Sequence, residues 1–170
     1  MAKHKKEDKT LVEKMLDKAK IAYVPYEFPT HEAGDVAQLS VDHIGVDEHR
    51  IYKTLVLTGN KTGPVVGVVP LDRHIAYKKL AAVSGNKKVG MVPLKDLVKT
   101  TGYEHGANTP IGIHARHNYP IYLGIEAQDE AEIIVSAGKI GRSVGLAPAD
   151  LLKVCDAQFA DFTALEEEDA

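Results

Sequence analysis

Chemistry at neutral pH needs a charge, a nucleophile or a set of ligands held in place, and few side chains of this 170-residue chain offer themselves. Lys53 is the most pointed. The stretch RIYKTLVLT, residues 50–58, alternates as a β-strand, and its period of two puts Lys53 with Ile51, Leu55 and Leu57 on the more apolar face. An ammonium there either lies along the sheet and snorkels to water, or stands where the face opens into a cleft, against an anionic or carbonyl oxygen. The pattern leaves both open.

The other candidates are weaker. Ser136, in VSAGK at the end of an expected strand, lacks a GxSxG setting, and either donates to a ligand or satisfies its own turn. Cys155 falls on the apolar stripe of a helix, the place of a small core residue rather than a reactive thiolate. In GYEHGANTPIG, residues 102–112, Gly106, Pro110 and Gly112 free or restrict the backbone so that N–H groups could face an oxyanion; an ordinary surface loop has the same composition. His114 and His117 form H-A-R-H, but Pro110, Gly112 and Pro120 predict a loop there. With no HExxH or CxxC, no metal site and no cofactor are expected. GNKTG, residues 59–63, joins two strands and reads as a hairpin turn, not a phosphate loop. A hydrolase built from this inventory would not bring an evident nucleophile of its own.

The elements that must position these residues follow in order. A capping box at Thr10 starts a helix over residues 11–20. The aromatic segment 22–28 is extended, with Pro25 keeping it at a sheet edge or breaking it, and a second helix is expected over residues 35–44 before Gly45. RIYKTLVLT and VVGVVP make a β-hairpin. Asp72 is expected to cap a helix over 73–83; KKVGMV is a short strand, and Pro93 opens the helix PLKDLVKTTG. Strands YPIYLG, AEIIVSAG and SVGLAP precede the helix PADLLKVC. Strands and helices interleave without a βαβ rhythm, which predicts an α+β domain with a mixed sheet.

Size and composition predict a single domain over 1–170, with 1–9 and 165–170 as flexible ends. A single cysteine excludes an internal disulfide framework. No apolar run approaches the ~18 residues of a membrane span, and MAKHKKEDK is not followed by the core of a signal peptide, so a cytoplasmic protein with no membrane partner is expected. The formal charge of −3 is concentrated in LEEEDA, residues 165–170; without its four acids the remainder carries +1. Paired lysines such as Lys78-Lys79 and Lys87-Lys88 are compatible with a polyanion but do not diagnose one.

Taken in order, Tyr52-Lys53-Thr54-Leu55, VVGVVP, KKLAAVSGNKKVGM, TGYEHGANTPIG and VSAGKIGRSVGLAPADL resemble the YbaK/EbsC family of aminoacyl-tRNA deacylases, relatives of the editing domain of bacterial prolyl-tRNA synthetases. The resemblance spans about residues 20 to 162. It implies a mixed, barrel-like sheet surrounded by helices, with one substrate pocket. It also implies hydrolysis of a mischarged aminoacyl-tRNA, chiefly Cys-tRNA(Pro) and in a broader form Cys-tRNA(Cys), with prolyl-tRNA synthetase as a possible associate. On this resemblance Lys53 is the pocket lysine, followed by Thr54. Gly106, Ala107, Thr109, Pro110 and Gly112 belong to the loop beside the pocket, Ser136 and Gly138 to a Ser-x-Gly-Lys turn, and Tyr26 matches a nearby aromatic.

Ala107 and Thr109 depart from the family's Gly-Gly-x-Ser-Pro-Leu/Ile-Gly, and Ala33 stands where many members have Phe before Gly-Asp. In cysteine-specific members the substrate's own thiol is thought to attack the ester, which suits a chain without an evident nucleophile. The readings that compete are a deacylase for alanine or serine, a module that binds aminoacyl-tRNA or a synthetase without hydrolysis, and a small anion-binding metabolic enzyme.

Overall fold

Thr10 opens the first helix, α1 (Leu11–Lys18), with the predicted capping box: its hydroxyl accepts from the Glu13 N–H, and the Glu13 carboxylate accepts from the Thr10 N–H. The computed structural model describes residues 9–28, 30–33, 36–39 and 47–165, and of residues 30–39 the backbone pairing alone. The N-terminal basic run up to residue 8, Gly34, Asp35 and the acidic residues from 166 on lie outside the described residues. Glu13 is fully buried and also accepts from the Arg142 guanidinium at 2.9 Å, which ties α1 to the sheet.

Three strands form the first sheet, in the order β1 (Val24–Glu27), β10 (Arg142–Leu146), β9 (Ile133–Lys139), all antiparallel. Pro25 sits on the edge strand, where a missing N–H costs no ladder bond. A five-stranded mixed sheet runs β11 (Gln158–Ala160), β8 (Ile121–Gly124), β5 (Gly63–Pro70), β4 (Tyr52–Gly59), β7 (Val89–Met91). The β4–β5 hairpin is the predicted one, closed at Gly59 opposite Gly63, while β8 lies parallel to both β5 and β11. A parallel bridge from Ile51 to Ile134 joins the two sheets.

The α+β architecture is as expected, but among the described residues the sheet does not close into a barrel; that single bridge is its seam. One face of the strands carries Tyr52, Val56, Val66, Val68, Ile133, Val135 and Val144, covered by α1 with Val12 and Leu16, by α4 (Pro110–Arg116) with Ile111 and Ile113, and by α5 (Pro148–Cys155) with Leu151 and Cys155. Burial pushes the Cys155 thiol far up, as befits a core residue. On the other face Leu57, Val65 and Val69 pack with Ile75, Leu80 and Phe162, and Ile51 and Ile134 pack with Phe28.

Three expectations are corrected. The helix over 35–44 is excluded at Val36–Leu39, which form β3, antiparallel to β2 (Thr30–Ala33). Ala33 pairs with Val36; Gly34, Asp35 and residues 40–46 lie outside the described residues. Asp72 does not cap a helix. Instead His74–Ile75 form β6, paired with β12 (Thr163–Ala164), and α2 (Tyr77–Ser84) starts later, after Ala76 has donated its N–H to the Phe162 carbonyl. Burial of Phe162 overrides the local cap.

The third correction concerns H-A-R-H. The segment is α4, not a loop: Thr109 caps it and Pro110 occupies the first turn, where its missing N–H would be an orphan in any case. His117 lies beyond the helix in extended backbone, so the two histidines do not share a helix face. The predicted α3 (Leu94–Thr101) precedes it and ends at Gly102 in the left-handed region.

Candidate functional site

Directly opposed residues of paired strands point to the same face of a sheet. Tyr26 in β1 opposes Ser143 in β10, and Ser143 opposes Ser136 in β9. The parallel bridge sets Ile51 level with Ile134, so two residues further along both strands Lys53 comes level with Ser136. A row of Tyr26, Ser143, Ser136 and Lys53 therefore crosses both sheets at their seam. Ile51 and Leu57 are buried on this face, whereas Lys53 and Leu55 are half-buried, so the opening extends one pair beyond the lysine.

Tyr26 is held by a network. Its hydroxyl donates to Glu132 Oε1 at 2.9 Å, the Arg50 guanidinium donates to the same oxygen, and its ring stacks on Phe28 with centroids 6.1 Å apart. Burial, followed by the Glu132 carboxylate, raises the Tyr26 phenol, so it stays a neutral donor.

Next to Ser136 the β9–β10 register slips between Arg142 and Ser143, leaving Ala137 and Gly138 in a bulge. Gly138 adopts φ +94, a conformation reserved largely for glycine, and donates its N–H to Ser136 Oγ at 3.4 Å. A β-carbon on Gly138 would lie 3.3 Å from the Tyr103 ring and 3.6 Å from the Thr109 methyl, which places the 106–112 loop against the bulge.

Within that loop Gly106 takes the left-handed position, φ +88, and is exposed; Ala107, Thr109, Pro110 and Gly112 are all buried. Ala107 keeps negative φ and gives its N–H to the Glu104 carbonyl at 2.9 Å, so the methyl group that departs from the family pattern causes no strain. The Thr109 hydroxyl accepts from the Gly112 N–H at 3.3 Å, the same capping that a serine gives. Asn108, between Ala107 and Thr109, is buried too; its amide nitrogen donates to the Glu104 carbonyl at 3.3 Å, while its Oδ1 has no hydrogen-bond partner among the described residues.

Lys53, Ser136, Gly138 and Tyr26 are thus brought together, with the loop abutting Gly138. Thr54 is not with them: alternation turns it to the opposite, core-facing side, where its hydroxyl is buried without a hydrogen-bond partner among the described residues. Sequence reading missed Ser143, Glu132 and Tyr103, which only the register and the Gly112 packing disclose. A cleft of about 340 Å³ lies elsewhere, lined by His114, Tyr119, Asp156 and Gln158 among others, and none of the expected site residues borders it. Among the described residues no group of three His, Cys, Asp or Glu side chains could hold a metal ion, and no helix is long and apolar enough to cross a membrane.

The seam of this α+β domain thus carries one lysine on the same face as Ser136 and Ser143, with a glycine-bearing loop against the neighbouring bulge. The chain belongs to the aminoacyl-tRNA editing domain family, whose model matches residues 31–154. It is 46% identical over 166 residues, 98% of this chain and all of the other, to a protein of Enterococcus faecalis provisionally named Cys-tRNA(Pro)/Cys-tRNA(Cys) deacylase EbsC. It is 29% identical over 144 residues to a proline–tRNA ligase of Thermodesulfovibrio yellowstonii, covering 84% of this chain but 24% of that one. The fold is shared with a crystal structure provisionally described as a trans-editing enzyme for prolyl tRNA synthetase, at 23% identity, a TM-score of 0.71, and coverage of 90% of this chain and 94% of that one.

Proposed function

We propose that this protein is a trans-editing deacylase that releases cysteine from mischarged Cys-tRNA(Pro), with Cys-tRNA(Cys) as a second substrate. The observation that carries the reading is the row Tyr26, Ser143, Ser136, Lys53, set beside a glycine bulge in a chain 46% identical to a protein named for that activity. The row offers hydroxyl donors and one cation; its only cysteine elsewhere, Cys155, is buried in the core with its thiol held protonated. A face of this kind positions and does not attack.

The attacking group is then the substrate's. Its cysteinyl sulfur bonds to the carbonyl carbon, the bond to the terminal ribose oxygen breaks, and that oxygen leaves with the thiol's proton. Water opens the resulting cyclic thioester to free cysteine. Well-oriented intramolecular attack reaches effective molarities of ~10⁵ M or more, ample for an already activated ester. Lys53 holds the 3′-terminal phosphate or ribose region, and the backbone of the 106–112 loop and the 137–138 bulge lies beside the reacting carbonyl.

Purified protein incubated with Cys-tRNA(Pro), Cys-tRNA(Cys), Ala-tRNA(Pro) and Ser-tRNA tests this. Release of cysteine from the first two, with the alanyl and seryl esters left intact, is the expected result. Release of alanine or serine at equal rates would remove the thiol from the mechanism, and binding without any release would make the protein a carrier.

A further inference from the structure

The hairpin end of β4 carries a feature that the row around Lys53 does not use. Asn60 Oδ1 accepts the N–H groups of Lys87 and Lys88, each at 2.9 Å, and Asn86 Oδ1 accepts those of Lys61 at 2.8 Å and Thr62 at 3.0 Å. Asn86 is buried, and its amide nitrogen is spent on Thr62 Oγ1 at 3.0 Å and Ser84 Oγ at 2.9 Å. Gly59 is required beneath it, because a β-carbon there would collide with the Asn86 side chain. Two turns are thereby locked to each other, and the backbone of Lys61, Lys87 and Lys88 is fixed in mutual position.

All three lysines are exposed, and among the described residues none forms an ion pair. No acid occurs in residues 57–63 or 84–92. Beside them runs an open groove of about 250 Å³, lined by Thr58, Gly59, Asn60, Lys88, Val89 and Gly90. Nothing stands where a β-carbon of Gly90 would be, so a chain could approach this backbone closely. Three exposed cations rooted on a fixed backbone beside a glycine-floored groove suit a polymer that presents negative charge at intervals, which is the character of a phosphodiester backbone.

Lys53 and Gly59 stand at opposite ends of β4, about 20 Å apart at ~3.3 Å per residue. That is a span of a few nucleotides from the aminoacylated end. We propose that Lys61, Lys87 and Lys88 bind phosphates of the tRNA stem while its aminoacylated end occupies the face around Lys53. The inference rests on the deacylase reading for its partner, and the platform would supply affinity without base identity.

The test compares the wild type with K61Q/K87Q/K88Q and with the charge-preserving K61R/K87R/K88R. Titration against fluorescently labelled uncharged tRNA at several salt concentrations should show the glutamine variant binding about tenfold more weakly at low salt, with a slope of log affinity against log salt shallower by about 2 to 3, and the arginine variant unchanged. In hydrolysis the glutamine variant should raise KM for full-length Cys-tRNA(Pro) without lowering kcat, and leave a cysteinylated 3′-terminal trinucleotide, which has no stem, unaffected. Wild-type tRNA affinity and salt slope in the glutamine variant would overturn the proposal, as would an equal loss on both substrates. Lysine-dependent tRNA binding by a wild type that hydrolyses neither substrate would uphold the platform and end the deacylase reading.

Discussion

Lys53 shows how a single residue's setting decides its chemistry. On the same face Ile51 is 3% exposed while Lys53 and Leu55 are half-buried, so Lys53 stands on a partly desolvated face, where a charge interaction is stronger than in open water. Replacing it with alanine should lower single-turnover deacylation of Cys-tRNA(Pro) by about 10²-fold or more, the scale on which a positioned electrostatic group contributes. Lys53 lies outside the buried apolar clusters, so circular dichroism should match the wild type; normal turnover by this folded variant would sink the role. Period two made Lys53 conspicuous in the sequence. Ser143 and Glu132 have no such mark, because what brings them beside Tyr26 and Ser136 is the strand opposite and not the residues beside them in the chain.

Among the elements, α4 repays attention because its start is wedged between the bulge of β9 and Tyr103. Gly112 lies directly under the Tyr103 side chain: an added β-carbon would collide with the phenol oxygen and approach the Thr109 methyl to 2.6 Å. Gly112→Ala should therefore destabilise the protein by about 1–3 kcal/mol through overpacking, read as a lowered Tm, and Tyr103→Phe in the same chain should restore part of the loss by removing the colliding oxygen. A wild-type Tm for Gly112→Ala would show that the packing is looser than described. The same helix shows where local signals mislead. Pro110 and Gly112 read as breakers, yet a proline at the first helical position and a threonine cap before it are a good helix start. The β2–β3 pair departs from the expected helix for the converse reason: Val36 to Leu39 fit a helix pattern over a short window, and only pairing with Thr30 to Ala33 makes them a strand.

At the scale of the whole molecule, burial of ionisable groups sets how stability depends on pH. Desolvation raises Tyr52 far above its ordinary value of 10 and Cys155 far above 9. In the folded protein both therefore stay protonated at pH values where the unfolded chain loses those protons. Their contribution is complete below about pH 9 and declines above it, as the unfolded state ionises first. Denaturant midpoints should be flat with respect to these two groups from pH 7 to 9 and fall above that, and Cys155→Ala should lessen the fall near its lower end; an undiminished midpoint at pH 11 would refute the account. By itself the sequence determined the β4–β5 hairpin, α1 with its cap, α3, α5, the buried character of Cys155 and the membership that ordered motifs betray, because each depends on periodicity, capping or turn chemistry within a short window. The tertiary structure alone decided that Tyr26, Ser143, Ser136 and Lys53 share a row, that Thr54 faces the core, and that Asn60 and Asn86 clasp two lysine-bearing turns. The physical reason is that register between strands distant in the chain is fixed by which apolar faces bury each other, a property of the assembled sheets rather than of any one segment.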